Sequence, residues 1–600
     1  MKSSSKYGNF IVQGSILAIA GIVCRIIGML YRIPLVDIIG TIGNGYYTSA
    51  YSIYNILLIV SSYSLPTAIS KIVSVRLSKG RIGDVRRVLR VAFIYSTIVG
   101  AIMCAVMFFG AGAIAEAMGK PFCSYVLKTL APTIWIMAYL GLLRGYFQGT
   151  GNMMPTAISQ ILEQIVNAAV SLIMAYMLFG YGERANAIYG ETDFSFAYGA
   201  AGGTIGTGAG ALVALLFFVL LLLLYGIDMP EEENEGGSSA RIRGEYEPRR
   251  RGQREEGYGS RGRSLAMEAG GRAASLPRRG RTARPESYGH IARTLLVTLL
   301  PILISSCVYN ISTVLDDFLF SNIMTAIGLG SSVVLLWGIF GEYHILFNVP
   351  VAISNALSSS VIPSLTNAAS ERNKKLVVQK IRMSIRFTML IAIPAAVGMI
   401  VLSEPICNLL FNTEDNATLI RVVQVGAVAV VFYSLSTITT GILQGLGHLS
   451  EPLRNSAIAL VLHVAVLVFL LYVPKLGIYA VIISNIFFAL VVCLLNSSCI
   501  HRHVRYKQNG KKTYLIPFIA SLIMGVVCFL AHRAMLILLP DSIEAGRLGL
   551  MLIVGVCMFA AVLVYFISLL LLRAFNKAEL MQMPMGMRIY RLARAVGLMD

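Results

Sequence analysis

Fourteen stretches of this 600-residue chain are apolar over enough length to cross a bilayer, which takes about 20 helical residues. They fall near 10–33, 44–65, 91–115, 124–147, 155–180, 197–227, 291–321, 331–362, 384–403, 417–443, 455–473, 475–499, 513–536 and 547–573. Composition agrees: 56% of residues are hydrophobic and 13% charged, where a soluble domain has about a quarter charged. The chain reads as an all-α polytopic membrane protein. The net charge of +20 points to no nucleic-acid partner, because the basic residues cluster in loops between apolar segments. The nine cysteines form no CxxC pair, so neither disulfides nor zinc are indicated.

Loop charge alternates. One set of loops carries Lys71, Arg76, Lys79, Arg81, Arg86, Arg87 and Arg90, then Arg372, Lys374, Lys375 and Lys380, then Arg502, Arg505, Lys507, Lys511 and Lys512. The other set is neutral or acidic, with Glu183, Glu191, Asp193, Glu404, Glu414 and Asp415. With fourteen crossings all the basic loops fall on one side, which predicts a multi-pass protein of the bacterial plasma membrane with both termini in the cytoplasm. Residues 228–288 are different: an acidic opening, then an Arg-rich run with Gly, Ser and Pro and no apolar periodicity. This segment reads as a cytoplasmic linker. It divides the chain into an N-terminal lobe at 1–227, a C-terminal lobe at 289–500 and a last pair of helices with a tail at 501–600.

The two lobes repeat. Leu65–Lys71 (LPTAISK) matches Val349–Asn355 (VPVAISN), and Gly145–Gly151 (GYFQGTG) matches Gly441–Gly447 (GILQGLG). The offsets are 284 and 296 residues. Six helices plus six, with two extra at the C-terminus, make a parallel repeat about an axis along the membrane normal. Two such lobes enclose a cavity that can open to either side.

The first segment carries two charges where lipid would penalise them. An Arg at the bilayer centre costs at least ~2.5 kcal/mol and normally faces protein or a watery cavity. Arg25 and Arg32 are seven residues apart, so they share one helix face about 10 Å apart along the axis. The pair reads as an anion site, the alternative being that Arg32 snorkels to the interface. Glu163 lies with Gln160, Gln164 and Asn167 on one face of the fifth segment; it lines the cavity or pairs with a neighbouring helix. Asp316 and Asp317 sit inside the seventh segment, either buried with a partner or exposed at the outer interface. His463 reads as a core histidine, and His501 and His503 as solvated side chains. The glycines at 202, 203, 206, 208 and 210 follow no strand and precede no Lys-Ser/Thr, so they signal close helix packing and not a nucleotide site. No catalytic constellation is present, and no enzyme is read.

These motifs resemble a known family. Arg25-Ile-Ile-Gly28, Arg32-Ile-Pro34, Leu65–Lys71, Arg144–Gly149 with Asn152-Met-Met-Pro-Thr156, Asn348-Val-Pro350 and Ile362–Leu365 are similar to the polysaccharide-transporter branch of the multidrug/oligosaccharidyl-lipid/polysaccharide flippase superfamily. Within that branch they look like the MurJ-like and stage V sporulation protein B-like group. The resemblance implies a flippase that moves an undecaprenyl-diphosphate-linked precursor, lipid II, to the outer leaflet by alternating access. It also implies membrane lipids and cell-wall assembly proteins as company for a monomer. Arg25 and Arg32 match the cavity arginines of the first helix. The arginine of the second helix is absent near Ile59, and His344 takes the eighth-helix position, with Lys71 or Arg144 as substitutes. The resemblance further implies a coupling-cation site for Na+ or H+ at Asp316 and Asp317 with Asn455 and Asn485, and no cofactor. A multidrug/cation antiporter of the same fold, or a flippase for another lipid-linked polysaccharide unit, are the alternatives.

Overall fold

The computed structural model describes residues 3–225, 286–371, 373–411, 415–538 and 546–574. The linker lies outside them except for residues 286–288, and so does the chain after 574. The described residues fold into helices, with no strand among them. The N-terminal lobe holds α1 (Ser3–Leu58), α2 (Leu65–Ser78), α3 (Ile82–Ala117), α4 (Cys123–Gly149), α5 (Met154–Tyr189) and α6 (Asp193–Tyr225). The C-terminal lobe holds α7 (Tyr288–Ala326), α8 (Val333–Ser370), α9 (Lys374–Val401), the short α10 (Ser403–Leu410), α11 (Asn416–Gly445), α12 (Ser450–Tyr472) and α13 (Ile478–Val504). Two more, α14 (Ile516–Leu538) and α15 (Arg547–Leu571), pack against α9 and α10.

Twelve of the described segments are long and apolar enough to cross a membrane. The first of them is two crossings. At 56 residues, α1 is far longer than one span, and Gly40 (φ 68°, ψ 172°) breaks it. Positive φ at the bend suits glycine, which has no Cβ to clash. The second crossing continues through a π-helical turn at Ile59–Tyr63 into α2. With α7, 39 residues long, the chain crosses about fourteen times, in line with the sequence. The turns at Gly80, Gly151, Gly447 and Arg505 lie at one end of the bundle, called the basic end here; those at Gly40, Gly119, Gly190, Gly328 and Gly477 lie at the opposite end.

The glycine run of α6 is a packing surface, as expected. A Cβ on Gly202 would strike the Met174 carbonyl, one on Gly206 the backbone of Ser171, and one on Gly210 the Glu163 carbonyl. Small residues at four-residue spacing let α5 and α6 approach backbone to backbone. Gly206→Ala is therefore expected to destabilise the protein by about 1–3 kcal/mol, the usual cost of overpacking. Gly112→Ala, which faces open space, is the neutral control. Thermal melting in detergent distinguishes them, and equal melting of the two variants contradicts the packing account.

The repeat is visible in the packing, in the 296-residue register of the Gly145–Gly151 to Gly441–Gly447 match. Ser62 Oγ donates to the Met137 carbonyl (2.6 Å), four residues before Gly141, which closes on Ser62. Ser358 Oγ donates to the Thr437 carbonyl (3.0 Å), four residues before Gly441, which closes on Ser358. One turn on, Gly145 meets Pro66 and Ile69, and Gly445 meets Ile362 and Leu365. Ser62 thus corresponds to Ser358, 296 residues away, and the 284-residue match of Leu65–Lys71 to Val349–Asn355 is off by about three turns. The serine and glycines fix the register because they set how closely the helices approach; the Pro-x-Ala-Ile-Ser similarity does not.

The lobes are pressed together at the opposite end. A Cβ on Gly45 would meet the Val334 carbonyl, and one on Gly338 the Thr41 carbonyl. Asn44 Nδ2 donates to the Gly338 carbonyl (2.9 Å). At the basic end α7 leans on the other lobe: Ile291, Leu295 and Leu299 share a core with residues of α2, α3 and α4. Glu286, just before α7, staples this contact. It accepts from Arg76 (2.5 Å) and Arg81 (3.0 Å), and its carbonyl accepts from Arg87. Burial pushes its carboxyl up, but the Arg76 hydrogen bond and charge outweigh that and hold it below the usual carboxylate range.

Candidate functional site

Arg32 lies on α1 two turns before Gly40 and turns its guanidinium onto the face of Tyr47 (4.4 Å), with Tyr51 beyond (5.9 Å). Tyr47 and Tyr51 stack on one another at 4.5 Å. Asn167 Nδ2 donates to Tyr31 OH (3.3 Å), and Tyr51 OH shares a short hydrogen bond with Thr207. The rings stabilise a partly desolvated cation by roughly 0.5–2 kcal/mol and bring it no carboxylate. Among the described residues no ion pair engages Arg32 or Arg25. Arg25 is exposed and its Nη1 reaches only the Ala352 carbonyl of α8, at 3.4 Å. The two arginines therefore present uncompensated positive charge between α1 and α8.

His344 faces them from α8, within an aromatic run of Phe340, Tyr343 and Phe347. Asn348 Nδ2 donates to His344 Nδ1 (3.0 Å). That nitrogen therefore accepts, and the ring is neutral with a free Nε2–H donor. It does not replace the missing cation. Arg144 does not either: its Nη2 pairs with Glu163 at 2.6 Å and its Nε donates to Ser159. Of the two readings of Glu163, the structure shows the helix-pairing one. Lys71 is exposed on α2 and joins none of these groups.

The proposed coupling set is not gathered as a set. Adjacent carboxylates on α7 look in opposite directions. Asp317 crosses to the other lobe and pairs with Lys120 at 2.5 Å, both side chains fully buried. Lys120 also donates to Ser49 Oγ (2.8 Å) and lies over the Trp337 ring. Asp316 faces its own lobe, where His463 Nε2 is 2.5 Å from Oδ1 and Asn485 Nδ2 donates to Oδ2 (3.0 Å). Tyr433 OH donates to Asn485 Oδ1. Asn455 is elsewhere, bonded to Asn496 and Cys499. The reading of Asp316 and Asp317 as exposed at the outer interface fails, since both are buried.

The Asp316 cluster fixes a proton count. His463 Nδ1 faces the Ser484 carbonyl at 2.8 Å. A carbonyl only accepts, so Nδ1 carries a proton. Nε2 and Oδ1 at 2.5 Å repel unless a second proton lies between them. Whichever atom holds it, the pair has one proton more than a neutral imidazole beside a free carboxylate. Both carboxylate oxygens of Asp316 are engaged by nitrogens.

Sequence reasoning missed Lys120 and the tyrosine cage. The available sign of Lys120 was a lysine in a loop on the side where basic residues are scarce. Nothing in the hydropathy marks Tyr31, Tyr47 and Tyr51, which read as ordinary core aromatics.

Comparison with known proteins gives this arrangement its relatives. A family model described as polysaccharide biosynthesis protein matches residues 11–189, and the MatE model matches 301–469. Lipid II flippase MurJ of Bacillus subtilis (strain 168) is 24% identical over 533 residues, covering 85% of this chain and 86% of that protein. Stage V sporulation protein B of the same organism is 22% identical over 573 residues, covering 95% and 96%. The solved structure of lipid II flippase MurJ in an inward closed conformation superposes with a TM-score of 0.59 at 14% identity, covering 92% of this chain and 97% of that one. The chain therefore has the MurJ/MATE-like polytopic fold of the multidrug/oligosaccharidyl-lipid/polysaccharide superfamily, and in sequence it is similar over most of its length to the MurJ- and stage V sporulation protein B-like group within it.

Proposed function

We propose that this protein flips an undecaprenyl-diphosphate-linked cell-wall precursor, lipid II by the similarity to MurJ, across the plasma membrane, with its termini and basic end in the cytoplasm. The observation that carries the reading is the unpaired charge of Arg25 and Arg32 between the lobes. A diphosphate offers oxygens that guanidinium groups grip in a fork. A multidrug antiporter exporting cations wants the opposite charge there. An apolar cavity of about 490 Å³ between α9, α11 and α14, lined by Ile393, Val397, Val431, Phe432, Leu515 and Phe518, offers room for part of a lipid chain. The test is complementation of a strain depleted of its own lipid II flippase, with flipping of labelled lipid II in vesicles as the direct measurement. Failure of both by a normally inserted protein, with transport of another lipid-linked unit, would move the assignment to that unit.

The energy source in this reading is the proton gradient. Asp316 and His463 hold the proton; Asp317, the next residue, holds the other lobe through Lys120. Deprotonation removes the attraction between Asp316 and His463 and frees α7 to shift the neighbouring clasp. His463→Gln is expected to leave substrate binding intact and to lower the response of transport to an imposed pH gradient at least tenfold. A variant that keeps the full response, or a wild-type protein that follows a sodium gradient alone, rules the proton out.

A further inference from the structure

At the basic end of the C-terminal lobe, three helix ends converge on groups that neither the transport site nor the coupling cluster uses. His448 sits in the turn between α11 and α12. Gly447, at φ 89°, reverses the chain there, and the His448 N–H donates to the Leu443 carbonyl (2.9 Å), so the backbone under the imidazole is fixed. Glu451 is in the first turn of α12. His503 is in the last turn of α13, some fifty residues later in the chain. Their ligating atoms all lie within 4.8 Å of one another.

Three further facts separate this group from a chance surface cluster. The two imidazole rings lie face to face, with centroids 3.7 Å apart and planes 16° from parallel. Two imidazolium cations would not stack so closely, so at least one ring is neutral and has a lone pair to give. His503 Nε2 lies 2.7 Å from Glu451 Oε1. The other carboxylate oxygen, Oε2, is buried and has no hydrogen-bond partner. A buried carboxylate oxygen without a donor is costly, and a cation would satisfy it.

We propose that His448, Glu451 and His503 form a binding site for one divalent transition-metal ion of the zinc class. Two imidazole nitrogens and one carboxylate oxygen are a donor set that suits this ion, with water in the remaining position. Bonds of about 2.0–2.2 Å put neighbouring ligand atoms roughly 3.3 Å apart in a tetrahedral site. Reaching that spacing requires the stacked rings to rotate so that their in-plane lone pairs meet, and His503, which is exposed, is the ring to turn. The bound ion ties the α11–α12 turn to the end of α13. His503, read from the sequence as a solvated side chain, is a ligand in this account, and the metal needs no cysteine pair.

The full-length protein, purified through a tag without histidines and stripped with a chelator, is titrated with Zn²⁺ by calorimetry and with Co²⁺ by visible absorption. The expected result is one saturable equivalent, a Co²⁺ spectrum of low coordination number, and a higher melting temperature with the ion. His448→Ala and His503→Ala should each weaken binding at least tenfold while melting like the wild type in chelator. Glu451→Gln, which keeps the shape and a hydrogen bond, should also weaken it. His501→Ala should bind normally, because the His501 ring faces the Tyr506 carbonyl at 3.1 Å instead. No saturable binding by the wild type overturns the proposal, and so does wild-type affinity in His448→Ala or His503→Ala. Neither outcome bears on lipid transport, so this site stands or falls apart from the flippase reading.

Discussion

Arg32→Ala is expected to abolish complementation of a flippase-depleted strain while the protein inserts at normal levels. The sequence alone ranks Arg25 above Arg32, since Arg32 is nearer the end of its helix. The structure reverses the order. Arg32 is held over Tyr47 and Tyr51 and has no carboxylate to satisfy it, whereas Arg25 is exposed. A charge-assisted hydrogen bond contributes about 1.5–3 kcal/mol, so losing one grip on a phosphate weakens binding by roughly 10- to 150-fold. Arg32→Lys keeps the charge but loses the fork and should be impaired to a lesser degree. Arg25→Ala should be intermediate. Binding of a lipid-linked diphosphate to purified protein, read beside growth, separates lost affinity from lost folding. Full growth of an Arg25→Ala/Arg32→Ala double variant would remove the anion site, and the lipid II assignment with it.

Lys120→Met should be the most destabilising single change in the protein. It leaves Asp317 fully buried and without its cation. Removing one partner of a buried pair typically costs about 3–5 kcal/mol. The double change Lys120→Met/Asp317→Leu removes both charges, and buried pairs replaced by apolar residues often lose little stability. Melting temperature should therefore fall sharply in each single variant and recover in the double. The pair joins the α3–α4 turn of one lobe to α7 of the other, beside the Gly338–Thr41 contact. The double variant should then expose a cysteine placed at Ser49 to an impermeant reagent from the outer side more than the wild type does. Single variants that melt like the wild type would mean the pair is not what holds that end shut. Asp317→Asn, which the sequence reading ties to cation coupling, is expected instead to act on stability, with Asp316 the residue that couples.

Much of the fold is legible in the chain. Apolar length gives the crossings, Gly40 divides the first long helix where two segments were expected, and the α6 glycines announce a close neighbour. The repeat was legible, and of its two motif matches the glycine one, Gly145–Gly151 to Gly441–Gly447, had the right register while the Leu65–Lys71 one did not. A five-residue similarity tolerates slippage of several turns, and only contact between Ser62 and Gly141, and between Ser358 and Gly441, fixes the correspondence. Of the site, Arg25 and Arg32 stand out because a cation in an apolar run is expensive wherever it points.

The sequence by itself determined that this chain is a helical membrane protein with two repeated lobes and a positive charge pair on its first helix. Hydropathy and charge report the environment each residue needs, and those needs are local. Only the tertiary structure decided which residues meet. It gave Glu163 to Arg144, Asp317 to Lys120, Asp316 to His463, and brought His448 and Glu451 to His503. The physical reason is that an apolar helix specifies that it will be buried in lipid or protein, while its neighbour is selected by close packing of small residues and pairing of the few polar groups it carries inward.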